Sequence, residues 1–508
     1  MDTFIDKYAP IRGLMQTDSY KLDHKRISDL AGKTTRVYSN WTNRGSRIEG
    51  IDHVVHFGLQ AFLQQLTDTW QTFFEADEDL VVDLYRERLK NFLAPGVPLD
   101  HIRALHKLGY LPLEVKAVAE GTEVPVRVPT FTIENTVDEF FWLTNYIETV
   151  LSASYWQPST AATVAHSIRK VLEEGAEATG TAKEVIDFQG HDFSFRGMQG
   201  VASAAASGAA HLVSFNGTDS LVSLDWIDRY YGGEYLAASV PATEHSVMCA
   251  GAAVLGEKEL FRRIIEMYPT GIVSIVSDTF DLWKVLTDFL PTFHKEIMDR
   301  DGRIVIRPDS GNPVDIITGT IDARTPEGLA EYQRKAEAGT LTVQEAGVIQ
   351  LLWNEFEGTV NEAGFRELDT HVGMIYGDSM TRDRIREVWQ RLAARGFASG
   401  NFVAGVGSYS YSYQSRDSFQ SAVKATWAEV DSKPYDLQKD PITDNGMKKS
   451  AKGRLSVQRD EDGELFLIQQ ATPEQEAASE LKTVWRNGEF VVKQTFAEVR
   501  EVLAAQAR

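Results

Sequence analysis

The chain has 508 residues, which allows about three domains of ordinary size or one large α/β domain with additions. Its 52 lysines and arginines against 73 aspartates and glutamates give a formal net charge of −21, which argues against a protein that coats nucleic acid. No uncharged apolar run is long enough to span a bilayer, and residues 1–25 carry charges throughout. A single cysteine, Cys249, excludes an internal disulfide framework and a multi-cysteine zinc site. We therefore expect a cytoplasmic protein without nucleic-acid or membrane partners.

The two ends of the chain share a mixed pattern of strands and helices. In residues 1–150 the sequence predicts a strand at Arg36–Trp41, helices at Val54–Leu66 and Asp77–Leu93, and a β-rich stretch at Leu111–Thr132. After about residue 420 it predicts a lysine-rich loop, Lys433–Arg454, among strands at Val423–Glu429, Leu455–Arg459, Leu465–Gln469 and Thr483–Gln494. We interpret residues 1–158 together with 420–508 as one flanking, mainly antiparallel α+β domain.

Residues 159–419 show the most regular signal, in which short apolar runs alternate with helical segments. The predicted strands are Ala210–Phe215, Gly271–Val276, Arg303–Ile306, His371–Tyr376 and Asn401–Val403. Helical spacing of apolar residues predicts helices between them, such as Glu257–Met267 and Arg382–Arg395. Runs this apolar are typical of strands that are buried on both faces of a parallel sheet. The pattern predicts an α/β barrel or a doubly wound sheet.

Charged residues cluster after these predicted strands. In parallel α/β folds, ligands bind beyond the carboxyl ends of the strands. A single Asp or Gly there commonly caps a helix or forms a turn. Four acidic residues and an arginine predicted on one rim instead favour a ligand site; the residues concerned are Asp219, Asp278, Arg307, Asp309, Asp378 and the loop Gly405–Ser408.

The segment Arg307–Pro313 is the most informative. An arginine at a buried strand end is costly unless it meets an anion. Asp309 points to the same side as Arg307, because side chains in an extended chain alternate with a period of two. This pair suits a phosphate next to ribose hydroxyls. The alternative is a buried Arg–Asp ion pair followed by a Gly-Asn-Pro turn.

Two further segments offer groups for an aromatic phosphorylated ligand. In His191–Arg196, Phe193 could stack on a flat heteroaromatic ring and Arg196 could hold a phosphate, with a helix of small residues, Gly197–Ala210, following. His245 could carry positive charge or accept a phosphoryl group. The alternatives are a core aromatic, a surface arginine and a structural histidine.

The C-terminal part adds a phosphate-type loop and a basic segment. Gly405–Ser408 followed by Arg416 offers backbone N–H groups, a hydroxyl and a cation to a monophosphate. Tyr409, Tyr411 and Tyr413 alternate as one face of a short extended stretch that needs no ligand. The basic residues of the second segment would cover phosphates or form a solvated loop; they are Lys439, Lys448, Lys449, Lys452 and Arg454.

Together these segments resemble those of the nicotinamide phosphoribosyltransferases. The resemblance covers nearly the whole chain, and its most specific motif is IRPDSGNP, Ile306–Pro313. The other matching segments, in chain order, are Thr17–Lys21, His56–Gln60, Trp142–Asn145, His191–Phe193, Gly217–Asp219, Ser239–Pro241, Glu244–Ser246, Val276–Asp278, Gly377–Asp378, Lys439–Pro441 and Lys452–Leu455.

The resemblance implies a homodimer of two-domain protomers in which residues 159–419 form a central α/β (TIM-like) barrel. It implies active sites shared at the dimer interface and transfer of phosphoribose from phosphoribosyl pyrophosphate (PRPP) to nicotinamide, giving nicotinamide mononucleotide (NMN) and pyrophosphate. Mg²⁺ would be carried by pyrophosphate and not by dedicated metal ligands. ATP would stimulate the reaction by phosphorylating His245.

The resemblance also assigns roles to individual positions. Phe193 and the partner's Tyr20 would sandwich the pyridine ring, while Asp219 would accept a hydrogen bond from the carboxamide. The remaining substrate contacts would be Arg196, His245, Asp278, Arg307 and Pro308 around pyrophosphate, Asp309, Gly377 and Asp378 at the ribose, Gly407, Ser408 and Arg416 at the 5′-phosphate, and Arg44, Lys439 and Lys448 from the neighbouring subunit. Of these residues, Asp219, His245, Arg307 and Asp309 would be catalytic.

Two departures from the family pattern stand out. Ser408 and Tyr409 replace glycines in the phosphate loop, and the lysine-rich loop differs by one residue in length near Lys448. Two alternatives stay open: a nicotinate-type phosphoribosyltransferase and a non-catalytic NMN- or PRPP-binding protein. Asp219 disfavours the first because a carboxylate repels nicotinate. The joint presence of the charged residues argues against the second.

Overall fold

In a computed structural model of the protein, residues 6–92, 98–377, 379–441, 443 and 449–506 are described. The chain divides into two compact units. The first unit comprises Met1–Thr163, Ile227–Glu234 and Gln414–Arg508, and the second unit comprises Val164–Trp226 and Tyr235–Tyr413. Among the described residues, no helix combines the length and apolar character that crossing a membrane requires.

Strands occur along the whole described chain and are numbered in chain order. They are β1 Thr34–Asn43, β2 His53–Val55, β3 Leu113–Ala117, β4 Glu123–Pro125, β5 Pro129–Asn135, β6 Gly190–Asp192, β7 Gly217–Thr218, β8 Thr270–Val276, β9 Asp301–Arg307, β10 Gly358–Val360, β11 Arg366–Leu368, β12 Val372–Tyr376, β13 Val403–Val406, β14 Ser421–Val430, β15 Lys433–Asp436, β16 Leu455–Arg459, β17 Leu465–Gln469, β18 Lys482–Arg486 and β19 Glu489–Phe490.

Helices connect and cover these strands. The α-helices are Arg12–Met15, His24–Ser28, Leu59–Glu75, Glu78–Leu89, Asp100–Leu108, Leu143–Tyr146, Glu148–Thr179, Lys183–Gln189, Val201–Leu212, Leu221–Tyr230, His245–Leu255, Glu257–Met267, Leu282–Lys284, Leu290–Thr292, His294–Met298, Pro313–Thr318, Pro326–Glu337, Val343–Phe356, Arg382–Ala394, Ser408–Ser412, Pro473–Ala477 and Phe496–Ala504. A π-helical turn at Val285–Phe289 and short 3₁₀ turns complete the helical structure.

The first unit is built on a seven-stranded antiparallel sheet with the order β15-β14-β1-β5-β3-β18-β19. Two antiparallel pairs, β2 with β4 and β16 with β17, lie outside this sheet. Aromatic side chains fill the core of the unit; Trp41, Trp70, Phe131, Tyr155 and Trp485 are almost fully buried. Burial of such large apolar surfaces is the main stabilising contribution to the unit.

The second unit is built on a parallel sheet with the order β7-β6-β13-β12-β9-β8. The central strands β12 and β13 are apolar and mostly buried, as is typical of parallel α/β sheets covered by helices, whereas β6 and β7 carry polar or small residues. Two further parallel bridges, Gly217 with Ala238 and Ala242 with Ser274, link the segment Ala238–Ala242 to both edge strands, β7 and β8. A small antiparallel pair, β10 with β11, also lies in this unit.

The predicted class, a mixed α/β fold with parallel and antiparallel sheets, is confirmed. Three central strands agree with the predictions Gly271–Val276, Arg303–Ile306 and His371–Tyr376, and the helix Glu257–Met267 has the predicted bounds. The predicted hairpin strands Leu455–Arg459 and Leu465–Gln469 pair with each other residue for residue.

Four predicted elements are wrong or displaced. Residues Ala210–Phe215, predicted as a strand, are the end of the helix Val201–Leu212 and the turn after it, because an alanine-rich apolar run also suits a buried helix. The predicted helix Val54–Leu66 begins as strand β2, and its helical part starts only at Leu59. The predicted strand Asn401–Val403 lies further on, as β13. The fourth, Tyr409–Tyr413, is helical and not extended.

Candidate active site

Most of the predicted site residues of the second unit lie at the carboxyl ends of the parallel strands. Because β6, β7, β8, β9, β12 and β13 all run in the same direction, the residues that follow them lie along one edge of the sheet. The residues at this edge are Phe193, Asp219, Asp278, Arg307, Pro308, Asp309, Gly377, Gly407 and Ser408. Asp378 was also predicted here and lies outside the described residues.

Asp219 is held by two side chains of the same unit. Its Oδ1 atom lies 2.9 Å from His191 Nε2 and accepts a hydrogen bond of 2.5 Å from the hydroxyl of Ser239. Partial burial would raise the pKa of Asp219, but the hydrogen bonds from His191 and Ser239, with the charge of Arg307, hold it below its ordinary value. The carboxylate is therefore ionised at neutral pH.

Phe193 and Arg307 lie next to each other. The guanidinium carbon of Arg307 is 5.6 Å from the centre of the Phe193 ring, within the range of a cation–π interaction. The Phe193 backbone N–H donates to the carbonyl of Val406 at 3.0 Å, which fixes Phe193 against the end of β13. The ring of His191 approaches that of Phe193 to 4.6 Å between centroids. An aromatic face and a cation therefore lie next to each other at this edge.

Arg307 is partly withdrawn from water. Burial lowers its pKa, although the nearby carboxylates of Asp309 and Asp219 act in the opposite direction. Its Nε atom is buried and has no hydrogen-bond partner among the described residues. A buried guanidinium donor without a partner is a group that an anionic ligand can satisfy.

Asp278, Asp309 and His245 form a cluster. Oδ2 of Asp278 accepts hydrogen bonds from the backbone N–H groups of Asp309, at 3.0 Å, and Ser310, at 2.9 Å, as well as from the Ser310 hydroxyl. Nε2 of His245 lies 3.0 Å from Asp309 Oδ1. One ligand atom from each of the three side chains lies within 4.8 Å of the others.

The sequence around Asp309 explains its rigid position. Gly311 adopts a positive φ of 91°, and the Asn312 side chain accepts a hydrogen bond from the Val314 N–H, which caps the helix that begins at Pro313. The Gly-Asn-Pro turn of the alternative interpretation is therefore present, while the roles of Arg307 and Asp309 at a phosphate and a ribose stay predictions. Gly377 follows β12, where an added β-carbon would lie 3.0 Å from Asp309 Cβ.

The phosphate-type loop begins a short helix, Ser408–Ser412, after Gly407. The predicted extended tyrosine stretch is wrong because helical spacing brings Tyr409 and Tyr413 together, with ring centroids 4.8 Å apart, both exposed. Tyr411 points inward, where its hydroxyl lies 2.6 Å from His211 Nδ1. Ser408 lies beside Gly197, one residue after the exposed Arg196.

The other predicted ligand residues belong to the first unit. Tyr20 is 64% exposed, and Arg416 lies 3.5 Å from Asp417 in an exposed ion pair. Arg44 donates to the carbonyl of Gln420 at 2.9 Å. Lys439 follows strand β15. Lys448 lies outside the described residues.

A basic cavity of about 390 Å³ lies within the first unit. Arg44, Arg127, Lys424 and Lys449 are among its lining residues. Burial lowers the pKa of Lys424; the negative charge of Glu148 opposes this shift, and the positive charges of Arg44, Lys439 and Arg416 add to it. A cavity lined by several cations is suited to an anion, although Lys449 is also paired with Asp440 at 2.9 Å.

Some functional candidates were missed by sequence reasoning. His191 and Ser239 were noted only as parts of motifs, and their contact with Asp219 depends on the pairing of β6 with β7, which no local pattern reveals. Lys424 alternates with apolar neighbours in β14 and carries no motif. The signal for it in the sequence was a lysine directly between the apolar residues Val423 and Ala425 of a predicted strand.

Comparison with known proteins defines the class. The model of the nicotinate phosphoribosyltransferase (NAPRTase) family matches residues 188–489, which is more than half of the chain and includes every residue of the sheet edge described above. The chain belongs to this family, and the enzyme class expected from the sequence is confirmed.

Two similar curated proteins carry a more particular name. A protein named nicotinamide phosphoribosyltransferase from Acinetobacter baylyi is 46% identical over 512 residues, covering 98% of each chain. One with the same name from Mycoplasma pneumoniae is 33% identical over 460 residues, covering 88% of this chain and 95% of that protein. The resemblance predicted from the motifs is confirmed.

A solved structure supports the fold. The nicotinate-nucleotide pyrophosphorylase from Pyrococcus furiosus superposes with a TM-score of 0.57 at 16% identity, covering 100% of this chain and 98% of that chain. At this identity the similarity concerns the fold alone.

Proposed function

We propose that this protein transfers phosphoribose from PRPP to nicotinamide, giving NMN and pyrophosphate. The observation that carries the proposal is the arrangement at one sheet edge of an ionised Asp219, the Phe193–Arg307 pair and the Asp278–Asp309–His245 cluster. These groups suit, in turn, an amide, an aromatic ring next to an anion, and a metal-bound diphosphate. The names of the similar proteins from Acinetobacter baylyi and Mycoplasma pneumoniae support the same substrate.

The chemistry needs no side-chain nucleophile. The pyridine nitrogen attacks the anomeric carbon of PRPP, the bond from that carbon to the pyrophosphate oxygen breaks, and pyrophosphate leaves with the electron pair. Positive charge builds on the ribose and negative charge on the leaving group. Arg307 would stabilise the departing anion, and Phe193 would orient the ring by stacking. Asp219 would accept the amide N–H of nicotinamide and repel the carboxylate of nicotinate.

We further propose Mg²⁺ as the cofactor, carried by pyrophosphate. The donor set fits: Asp278 and Asp309 offer carboxylate oxygens, which Mg²⁺ prefers, and Oδ1 of Asp278 is buried without a hydrogen-bond partner among the described residues. The bound ion would neutralise part of the diphosphate charge. Asp278 also holds the backbone N–H groups of Asp309 and Ser310, which keeps the Asp309 carboxylate in place.

We propose that ATP phosphorylates His245, with transfer of the γ-phosphoryl group to a ring nitrogen and release of ADP. The His245 side chain is 46% exposed, so a nucleotide can reach it. Asp309 next to Nε2 orients the ring. Incubation with γ-labelled ATP should label the native protein and leave His245→Asn unlabelled; labelling of both would refute this step.

We propose a homodimer in which one copy supplies Tyr20, Arg44, Lys439 and Lys448 to the site of the other. The exposure of Tyr20 and the basic cavity that Arg44 lines support this assignment. Two inactive variants, Arg307→Ala and Lys439→Ala, should regain activity when they are mixed, because one of the shared sites would be intact. No recovery in mixtures that form dimers would contradict the sharing.

We also propose that the segment Ala238–Ala242 closes the parallel sheet of the second unit into an α/β barrel. The bridges from this segment to Gly217 and Ser274 support closure. A barrel would hold all the strand ends around one opening, which suits a site built from many strands.

The assay for the main proposal is release of pyrophosphate from PRPP and Mg²⁺, with and without nicotinamide. Release that depends on nicotinamide, with NMN identified by mass, would support it, and Arg307→Ala should abolish that release. Binding of PRPP or NMN without turnover would instead identify a binding protein. The family carries the name of nicotinate, so nicotinate is the second base to test.

A further inference from the structure

We propose that His191 is a positioning residue that sets the preference for the amide over the acid form of the pyridine base by holding the carboxylate of Asp219. The inference rests on the proposed function and deepens it. His191 was not among the expected substrate contacts, yet its Nε2 atom lies 2.9 Å from Asp219 Oδ1.

Nε2 of His191 is the donor of the hydrogen bond to Asp219. An ionised carboxylate can only accept a hydrogen bond, and the pKa of Asp219 is lowered, so the shared proton belongs to His191 Nε2. The side chain of His191 is only 12% exposed, and a β-carbon on Gly217 would lie 2.7 Å from its Nδ1 atom. The glycine on the neighbouring strand β7 therefore leaves the space that the imidazole ring occupies.

The two donors on Asp219 converge on one oxygen. His191 and the Ser239 hydroxyl both bind Oδ1, whereas Oδ2 has no hydrogen bond within the described part of the chain. This arrangement fixes the rotation of the carboxylate and leaves Oδ2 for a ligand that donates. A carboxamide N–H can bind Oδ2, but the carboxylate of nicotinate would be repelled by it.

His191 would thus act on substrate choice through Asp219 while touching neither reacting atom. If the donor is removed, the carboxylate gains freedom to rotate, and its ionised form loses a stabilising partner. Both changes weaken the contact with the amide and the repulsion of the acid. Three of the proposed diphosphate ligands, Asp278, Arg307 and Asp309, lie at the ends of β8 and β9, away from the strands β6 and β7 that carry the His191–Asp219 pair.

The test uses the full-length enzyme and three substitutions at the pair. His191→Phe keeps an aromatic ring but removes the donor, His191→Gln keeps a donor, and Ser239→Ala removes the second donor. The matched control is His371→Phe, because His371 Nδ1 also contacts an aspartate, Asp369, at 2.6 Å in the same unit but away from the sheet edge.

For His191→Phe we expect the KM for nicotinamide to rise about tenfold, since one hydrogen bond to a charged group is lost, while the KM for PRPP stays within about twofold. The ratio of kcat/KM for nicotinamide over nicotinate should fall by about the same factor. His191→Gln should restore most of the ratio, and His371→Phe should leave it unchanged. Ser239→Ala should also lower the ratio of kcat/KM for nicotinamide over nicotinate.

A double-mutant comparison separates positioning from general damage. In an Asp219→Ala background, His191→Phe should no longer change the KM for nicotinamide, because the residue it acts through is gone. An equal loss in both backgrounds, or an equal rise in the KM values of both substrates, would overturn the inference. The inference would also be overturned if the ratio of kcat/KM for nicotinamide over nicotinate were unchanged in both His191→Phe and Ser239→Ala.

A failure of the proposed function can be distinguished from a failure of the positioning role of His191. If the native protein released no pyrophosphate with either base, the function would be wrong, and calorimetric binding of nicotinamide to native and His191→Phe protein would still test the pair. Binding that weakens about tenfold in the variant supports positioning, whereas equal binding contradicts it.

Discussion

The side chain of Ser408 lies directly against the α-carbon of Gly197: a β-carbon on Gly197 would be 2.0 Å from Ser408 Oγ and 2.5 Å from Ser408 Cβ. The Ser412 hydroxyl also donates to the Gly197 carbonyl at 2.9 Å. The segment that follows Arg196 is therefore packed tightly onto the phosphate-type loop. Gly197 provides the space that the Ser408 side chain occupies.

The contact between Gly197 and Ser408 predicts that a substitution at Ser408 compensates for a substitution at Gly197. Gly197→Ala should push Ser408 out of place and raise the KM for PRPP by about tenfold or more, because overpacking costs about 1–3 kcal/mol. Adding Ser408→Gly should remove the clash and recover most of the affinity. Steady-state kinetics on the single and double variants measure this. A harmless Gly197→Ala, or a double variant no better than the single one, would contradict the coupling.

Substitution of Asp219 should weaken base selection. Asp219→Asn or Asp219→Ser removes the charge that attracts the amide, and a hydrogen bond to a charged group contributes about 1.5–3 kcal/mol, or roughly ten- to a hundredfold in kcat/KM. The nicotinamide preference should fall by at least tenfold. Asp225→Asn, on an exposed position of the helix Leu221–Tyr230, is the control. Unchanged kcat/KM for both bases would refute the role of Asp219.

Asp278→Asn should impair the diphosphate end of the site. The Asp278 side chain is only 5% exposed and accepts two backbone N–H groups, so loss of its charge should weaken the loop that carries Asp309. We expect kcat to fall by about a hundredfold and the Mg²⁺ concentration for half-maximal rate to rise. A titration with MgCl₂ measures this. A Mg²⁺ curve identical to that of native enzyme would exclude Asp278 from metal binding.

The buried His211 should make the protein sensitive to mild acid. Burial lowers the pKa of His211 to about 4 from the ordinary 6.5, with the charge of Asp192 opposing the shift. The unfolded chain then binds a proton that the folded chain refuses, so stability is lost as the pH falls from about 6.5 towards 4. Urea unfolding at pH 7 and pH 5 should show a smaller loss for His211→Gln than for the native chain. An equal loss would contradict the assignment.

The sequence predicts the central fold where local pattern and tertiary context agree. Strand β12 is buried throughout and β8 and β9 carry apolar, largely β-branched residues in their second halves, so the apolar pattern located all three within a few residues. The run Ala210–Phe215 was taken for a strand because a buried helix of small residues is equally apolar. Strand β6 has three polar or small residues and exists only through pairing with β13 and β7.

In the candidate site, too, some residues can be predicted from local pattern, whereas some contacts depend on the tertiary structure. The rule that ligands bind at strand ends selected Asp219, Asp278, Arg307 and Asp309 before any family was considered. The hydrogen bond from His191 to Asp219 requires the register between β6 and β7, and the fit of Ser408 against Gly197 requires close packing of distant segments. Such relationships depend on tertiary structure, so the sequence alone could not reveal them. The predicted cytoplasmic location stays a prediction.

The most direct test of the account is a competition between the two bases. Native enzyme with PRPP, Mg²⁺ and ATP receives nicotinamide or nicotinate, and kcat/KM for each is measured by pyrophosphate release, with the nucleotide product identified by mass. The account predicts NMN as the main product and a preference for nicotinamide of at least about tenfold, from the charge of Asp219. Equal use of the two bases, or a preference for nicotinate, would contradict it.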